Sequence, residues 1–210
     1  SSAGNGVYFN HSFREVYGLG DELSTEGLSV TMIAKCGEKE KRFLLGEGEY
    51  TIAGFDSASA GDKTLTISAL GVNATTVVHV VDTAPAKDGD TFQVKVDKTY
   101  TGVIGANVEG YNMFTTIEQA LNYLSREDIG ATDKKLLVIG EGLFVEKLEI
   151  TIPNLTIRGA GPDKTVIEWN SLYGLVDAGG FTHTTDSTQT VAVRESATNV
   201  RIEGVTISNY

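Results

Sequence analysis

The stretch EGLFVEKLEITIPNLTIRGAGPDKTVIEWN, residues 141–170, decides the fold of this chain. Its strand-like segments alternate apolar and polar side chains, the period of two that is typical of strands with one buried face. The buried-face positions are Leu148, Ile150, Ile152, Leu155, Ile157, Thr165, Ile167 and Trp169. Corners are predicted at Pro153-Asn154 and at residues 159–163, because Gly supplies positive φ and Pro removes a backbone donor. We therefore expect short strands with corners, which become stable only when stacked.

A strand and its corner recur further along the chain. Residues 154–159 read NLTIRG, and residues 199–204 repeat that form as NVRIEG. Recurrence of a strand-turn unit after a few tens of residues predicts a solenoid, here a β-helix whose coils pile up. Further strands are predicted at 175–178, 190–193 and 199–208, with a polar loop at 182–190.

One helix is predicted, from Phe114 to about Glu127. Thr115 can cap it, and Glu118 three positions later can return the bond, which is the capping-box pattern. A single apolar stripe follows at Ile117, Ala120, Leu121 and Leu124. This helix must cover an apolar surface, and the strand predicted at 136–139 supplies one.

The first third of the chain predicts a small β-sandwich. Strands are expected at 7–9, 28–34, 42–45, 50–53, 63–70 and 74–81, separated by Gly- and Asp-rich turns. The segment DTAPAKDGD that follows has the composition of a linker. Its Asp88-Gly89-Asp90 triplet predicts a turn, because the further ligands of a calcium loop are missing. The domains are therefore expected at 7–82 and 91–210, with a linker at 83–90.

Composition excludes several classes of function. The formal charge of −11, with acidic residues spread along 210 residues, argues against nucleic acid as a partner, because phosphate binding needs a concentrated basic face. No apolar run approaches the length of a membrane span. The single cysteine, Cys36, forms no intrachain disulfide or cysteine metal cluster and is expected as an exposed or half-buried thiol in a turn. No metal or other cofactor is expected.

The first part resembles the bacterial immunoglobulin-like modules of secreted and surface proteins. The resemblance rests on YGLGDEL at 17–23, EGLSV at 26–30, YTI at 50–52 with GFD at 54–56, and AGDKTLTI at 60–67. It implies a sandwich without an inter-sheet disulfide, and a role as spacer or adhesion element at an extracellular or cell-surface location in a bacterium.

The second part resembles the start of a pectin methylesterase. Four blocks carry the resemblance: FTTI with QAL at 114–121, GLFVEK at 142–147, GAGPDKTVI at 159–167, and TVAV at 190–193 followed by residues 202–209. The block at 142–147 departs from the family in having Phe144 where Tyr is usual, and Gly140 stands where a charged residue or proline is common. The resemblance implies an all-β chain in which the sandwich is followed by the first coils of a right-handed parallel β-helix, capped by the helix.

The same resemblance implies hydrolysis of galacturonate methyl esters in pectin by two aspartates, a glutamine and an arginine. Their sequence blocks are not found before Tyr210. We therefore expect an N-terminal piece of a secreted esterase, inactive alone, whose catalytic residues lie beyond residue 210. The resemblance places Thr184 and Thr185 near the substrate groove. Four further polar residues, Ser171, Asp177, His183 and Asp186, are interpreted as solvated loop positions.

Two other functions remain open. The chain can be a non-catalytic surface module that binds glycan or acts as a spacer, or a β-helical polysaccharide lyase, against which GAGPDKTVI argues. Strand ends exposed on the last coil also predict self-association through residues near Asn199 to Tyr210.

Overall fold

The computed structural model describes residues 6–9, 13–170 and 188–209, and the structural statements below concern these residues. Strands dominate it, with one short helix. It divides into two compact units, the first holding the described residues up to Val80 and the second beginning at Val81. Each unit is described by itself.

The first unit is built from seven strands in two sheets. They are β1 (Gly6–Phe9), β2 (Val16–Gly18), β3 (Val30–Cys36), β4 (Lys39–Leu45), β5 (Thr51–Ala53), β6 (Gly61–Ala69) and β7 (Val72–Val81). One sheet has the order β1-β3-β4 and the other the order β2-β7-β6-β5. Leu65, Ile67 and Ala69 alternate inward along β6 and are almost fully buried. The core also holds Phe9, Phe13, Tyr17, Val30, Val78 and Val80. The predicted sandwich is confirmed.

Two tight turns fix the register of this unit. Gly37 adopts φ 62° between the paired residues Cys36 and Lys39, and Leu70 and Gly71 adopt φ 48° and 80° between β6 and β7. Positive φ at the first turn residue, and at both residues of the Leu70-Gly71 turn, matches the twist of the flanking strands in two-residue hairpins. Cys36 is exposed, as predicted.

The second unit has twelve strands among its described residues. They are β8 (Lys87–Asp88), β9 (Thr91–Val96), β10 (Asn107–Val108), β11 (Tyr111–Phe114), β12 (Lys134–Ile139), β13 (Gly142–Val145), β14 (Leu148–Ile150), β15 (Leu155–Gly159), β16 (Thr165–Trp169), β17 (Val191–Val193), β18 (Arg201–Glu203) and β19 (Thr206–Asn209). The short hairpins β8–β9 and β10–β11 are antiparallel. All other pairs are parallel.

Three parallel stacks wind this unit into a β-helix. One sheet runs β9-β12-β15-β18, a second β13-β16-β19, and a third β14-β17. From β12 onward the coils contribute strands to these sheets in turn, so the chain passes around a central core. Val94, Leu137 and Ile157 stack in one buried column of that core, and Ile202 continues the column. The predicted parallel β-helix is confirmed.

Coil length changes along the stack. Lys135 pairs with Leu155 only 20 residues later, whereas Thr156 pairs with Arg201, 45 residues on. The longer coil contains the segment between β16 and β17, most of which lies outside the described residues together with the strand predicted at 175–178. The predicted echo of NLTIRG and NVRIEG is confirmed as one coil lying on the next.

The helix α1 (Ile117–Leu124) is shorter than predicted, and its cap lies one residue later. The N-cap is Thr116, whose Oγ1 accepts from the Gln119 backbone N–H at 3.1 Å. The Gln119 side chain closes the return bond by accepting from the Thr115 N–H at 3.2 Å, so the predicted pair of Thr115 and Glu118 is wrong. Both pairs, Thr115 with Glu118 and Thr116 with Gln119, fit the capping pattern in sequence. The tertiary position of the helix selects between them. The predicted apolar stripe is buried.

Residues 83–90 read as a linker by composition, yet in the structure they belong to the second unit and are hydrogen-bonded within it. The side chain of buried Asn112 accepts from the Ala86 N–H at 2.7 Å, and the Tyr123 hydroxyl donates to the Thr83 carbonyl at 2.8 Å. The triplet predicted as a turn joins β8 to β9, with Gly89 at φ 58°. The domain limits 7–82 and 91–210 stay a prediction.

Candidate functional site

The predicted substrate-contacting residues Thr184 and Thr185 lie outside the described residues, as do Ser171, Asp177, His183 and Asp186. The structure therefore describes the coils that flank this segment. β16 ends at Trp169 and β17 begins at Val191.

Thr190 lies immediately before β17. Its carbonyl accepts from the Leu148 N–H of the preceding coil at 2.8 Å. Its hydroxyl donates to the Ser208 carbonyl of the following coil at 2.7 Å. Since this buried side chain is bonded within the protein, it joins three coils and does not project toward a ligand.

Thr165, in the block GAGPDKTVI, holds two corners together. Its hydroxyl donates to the Gly140 carbonyl at 2.9 Å and accepts from the Ala160 N–H at the same distance. Gly140 is the corner between β12 and β13, and Ala160 the corner between β15 and β16. The buried hydroxyl donates one hydrogen bond and accepts another within the protein, so Thr165 serves the stack.

The first glycine of that block allows two coils to touch. A Cβ on Gly159 would lie 2.2 Å from the Gly204 carbonyl oxygen, and the Gly161 N–H donates to the same oxygen at 3.0 Å. Only a residue without a side chain permits this approach of backbone to backbone. The corner is therefore specified by the glycine pair at positions 159 and 204.

The block GLFVEK places one aromatic ring inside the coil. Phe144 is 3% exposed and stacks on Ile167 of the next coil. Lys98 places its ammonium 5.6 Å from the centre of the Phe144 ring. A tyrosine hydroxyl at such an enclosed position would need a hydrogen-bond partner, whereas the phenyl ring needs none. The departure from the family pattern at Phe144 fits the packing.

Glu146, two residues later, binds the start of α1. Its two carboxylate oxygens accept from the backbone N–H groups of Ile117 at 3.1 Å and Glu118 at 3.0 Å. Burial raises the pKa of Glu146, while the two backbone N–H groups and Lys98 act in the opposite direction. A carboxylate at a helix N-terminus satisfies free N–H groups and complements the helix dipole. The acidic residue of this block thus bonds α1, which we call the lid helix because it covers the end of the stack, to the coil that contains Glu146.

Lys135 is the buried cation of the second unit and is 3% exposed. Its ammonium donates to the carbonyls of Gly130 at 2.9 Å, Asp133 at 2.8 Å and Pro153 at 3.2 Å. Burial lowers the pKa of Lys135, and Asp133 opposes that shift. The side chain crosses between two corners of successive coils, which explains why β12 begins earlier than its apolar run predicts.

Polar side chains form ladders on the outside of the coils. Asn199 donates its side-chain N–H to the Asn154 side-chain oxygen at 2.7 Å, and both residues adopt φ 56°. Arg158 pairs with Glu203 in the same two coils at 2.7 Å. The hydrogen bond from Arg158 lowers the pKa of the Glu203 carboxyl. These pairs align successive coils at the surface.

The blocks that carried the resemblance therefore build the scaffold of the described coils. Among the described residues, no three His, Cys, Asp or Glu side chains are grouped so as to hold a metal ion. Within the described ranges, the eight-residue helix α1 is too short to span a membrane, and a longer apolar helix is absent. The sequence did not identify the roles of Glu146 and Lys135. A glutamate in a motif far from any helix in sequence gives no sign of its tertiary partner.

Comparison with known proteins assigns the first unit most clearly. Residues 15–80 match the family model of the bacterial Ig-like domain (group 3). An exo-beta-1,6-galactobiohydrolase of Bifidobacterium longum is 42% identical over 72 residues, which cover 33% of this chain and 5% of that protein.

Solved structures similar to this chain include pectin methylesterases. One, determined in complex with a hexasaccharide, is 23% identical, with a TM-score of 0.41 over 53% of this chain. A pectin methylesterase of Erwinia chrysanthemi is 22% identical, with the same TM-score and coverage. The chain spans 29% of the length of each of these structures. From its own geometry, the chain is an all-β protein that joins an Ig-like sandwich to a parallel β-helix.

Proposed function

We propose that residues 91–209 form the first coils of a bacterial pectinesterase, which hydrolyses galacturonate methyl esters, and that the first unit is its extracellular or cell-surface spacer. The observation that supports this most is the contact between the four sequence blocks. Each block lies in the coils, and each is bonded to another block or to its corner.

The first two blocks meet at the lid helix. Glu146 of GLFVEK accepts from the N–H groups of Ile117 and Glu118, which belong to the helix block. The third block joins the second through Thr165 and the corner at Gly140. The last block joins the third through the Gly161 N–H, which donates to the Gly204 carbonyl at 3.0 Å. Motifs that matched by composition alone would have no reason to be neighbours in space.

In this proposal the described coils supply support for the site, not its chemistry. Ester hydrolysis needs a nucleophile, a proton donor and acceptor, and donors for the oxyanion. The resemblance implies aspartates, a glutamine and an arginine for these roles, in sequence blocks other than the four described above. Thr184 and Thr185 are proposed to contact the methylated galacturonate chain as it crosses these coils.

Methanol release from highly methylated pectin tests this proposal. The 210-residue chain should release none, whereas the full product of its gene should release methanol in proportion to new carboxylates. Release by the 210-residue chain alone would contradict the division between scaffold and chemistry. An unsaturated product absorbing in the ultraviolet, with no methanol, would identify a lyase and contradict the esterase.

A second candidate is a non-catalytic glycan-binding or spacer module. The match of 72 residues within a far longer galactobiohydrolase favours it, since a short shared segment is typical of an accessory module. Binding of pectin by the full gene product without methanol release would favour this candidate over the esterase.

A further inference from the structure

The hairpin formed by β3 and β4 carries an unusual concentration of positive charge. Residues 35–42 read KCGEKEKR, with four cationic and two acidic side chains, in a chain whose net charge is −11. The hairpin is therefore locally positive while the remainder of the chain is strongly negative. A local positive field on an acidic protein attracts polyanions to that place and repels them elsewhere.

Two of these cations are free to meet a ligand. Glu40 pairs with Arg42 at 2.6 Å and with Lys35 at 3.4 Å. Lys39 and Lys41, by contrast, form no ion pair with any described carboxylate and are exposed. They lie two residues apart on β4, so both side chains leave the same face of the sheet, about 7 Å apart along the strand.

The neighbours of these lysines make a groove. Cys36 lies opposite Lys39, Ala34 opposite Lys41, and Met32 opposite Phe43 in the register of β3 and β4. The small side chains of Ala34 and Cys36 leave space beside the long lysines, and the resulting groove of about 540 Å³ is also lined by Phe43. The Phe43 ring is 45% exposed. In the sheet order β1-β3-β4 the groove follows an edge strand, which leaves it open along its side.

We propose that this groove binds a de-esterified polygalacturonate strand. It is lined by Lys39, Lys41 and Phe43 together with Ala34, Cys36 and the ion-paired Lys35 and Glu40. A polyuronate repeats a carboxylate on every sugar, so successive carboxylates can meet Lys39 and Lys41. The C–H face of a pyranose ring can pack on the exposed Phe43 ring, because aromatic rings supply rigid apolar contact area. The choice of polyuronate over another polyanion rests on the proposed function. The site would hold the enzyme on the product regions of its substrate.

Affinity measurements on the 210-residue chain test this site. Titration of polygalacturonate at low salt should show binding that weakens as salt is raised, as charge-driven binding requires. The double variant Lys39→Gln/Lys41→Gln should lose at least about fivefold in affinity and flatten the salt dependence. Phe43→Ala should weaken binding without changing the salt dependence.

The matched control is Lys134→Gln/Lys164→Gln, which removes the same charge from lysines paired with Asp90 and Glu141. It should bind as the parent does. Equal loss in both double variants, no binding by the parent chain, or equal binding of polyglutamate would each overturn the proposal. Methanol release is not read in this assay, so failure of the esterase proposal and failure of the hairpin site are distinguishable.

Discussion

One carboxylate joins the lid helix to the stack, and its loss should be costly. Glu146→Ala leaves the N–H groups of Ile117 and Glu118 without their acceptor. We expect the free energy of unfolding of the second unit to fall by about 1–3 kcal/mol, the usual cost of unsatisfied buried polar groups. Trp169, the single tryptophan of the chain, lies in β16, so its fluorescence reports urea unfolding of this unit. Glu195→Gln, an exposed change, should leave the midpoint unaltered.

The same residue predicts a dependence on pH. Because burial raises the pKa of Glu146 above its ordinary 4.5, the folded protein keeps this proton where the unfolded chain has lost it. The contribution of Glu146 to stability is therefore greatest below the ordinary value and declines as pH rises through the raised one. Glu146→Gln should flatten that decline. An identical pH profile for the glutamine variant and the parent, followed by Trp169 fluorescence, would contradict the assignment.

Lys135 shows which residues sequence patterns miss. A lysine at the start of an apolar run is interpreted from sequence as the end of a loop. The sequence does not show that backbone carbonyls from two corners of successive coils accept hydrogen bonds from its ammonium. The positions that alternated cleanly, such as Leu148 and Ile157, were predicted correctly as core. Their burial depends on the period of the strand itself. Residues whose partners come from another coil were predicted only as motif members.

At the scale of elements, two threonines compete as the N-cap of α1, Thr115 from the sequence pattern and Thr116 from the structure. Thr116→Ala should destabilise the second unit by about 1 kcal/mol, since the N-cap hydroxyl accepts from the Gln119 N–H. Thr115→Ala should cost less, because its hydroxyl contacts only the Gln119 side chain and its own N–H keeps its acceptor. Urea midpoints of the two variants compare the caps directly. The reverse order would restore Thr115 as the cap.

The corner glycines allow contact and conformation to be separated. Gly159→Ala places a methyl group on the Gly204 carbonyl, so we expect a loss of about 3 kcal/mol or more, the upper range for overpacking. Gly110→Ala meets open space but sits at φ 86°, where a Cβ costs about 1–2 kcal/mol. Unfolding followed at Trp169 should rank the two in that order. Equal costs would mean that the coils separate to admit the methyl group.

The stacked-coil architecture could be predicted from the sequence, whereas the segments that connect its strands could not. Alternation, corners and the recurrence of NLTIRG predicted stacked coils, because a β-helix repeats its local pattern at every turn. Residues 83–90 were predicted as a linker because Ala, Pro and Gly report low local order, while the bonds that hold them come from Asn112 and Tyr123. The unequal coil lengths had no local signal either. Parallel pairing does not fix the number of residues that separate two paired strands along the sequence.

At the scale of the whole molecule, the stack presents an open edge. Strands β18 and β19 are terminal in their sheets within the described part of the chain, and Ile207 of β19 is 46% exposed. Unpaired strand edges with apolar side chains favour pairing with another chain.

We therefore propose that the 210-residue chain self-associates through residues near Asn199 to Tyr210, with a mass by light scattering that rises with concentration. Ile207→Lys should shift it toward monomer, because a charge at an edge opposes pairing. Val77→Lys, on the interior strand β7 and 42% exposed, is the matched control and should associate as the parent does. A parent chain that stays monomeric at every concentration, or equal effects of the two lysines, would contradict association through the last coil.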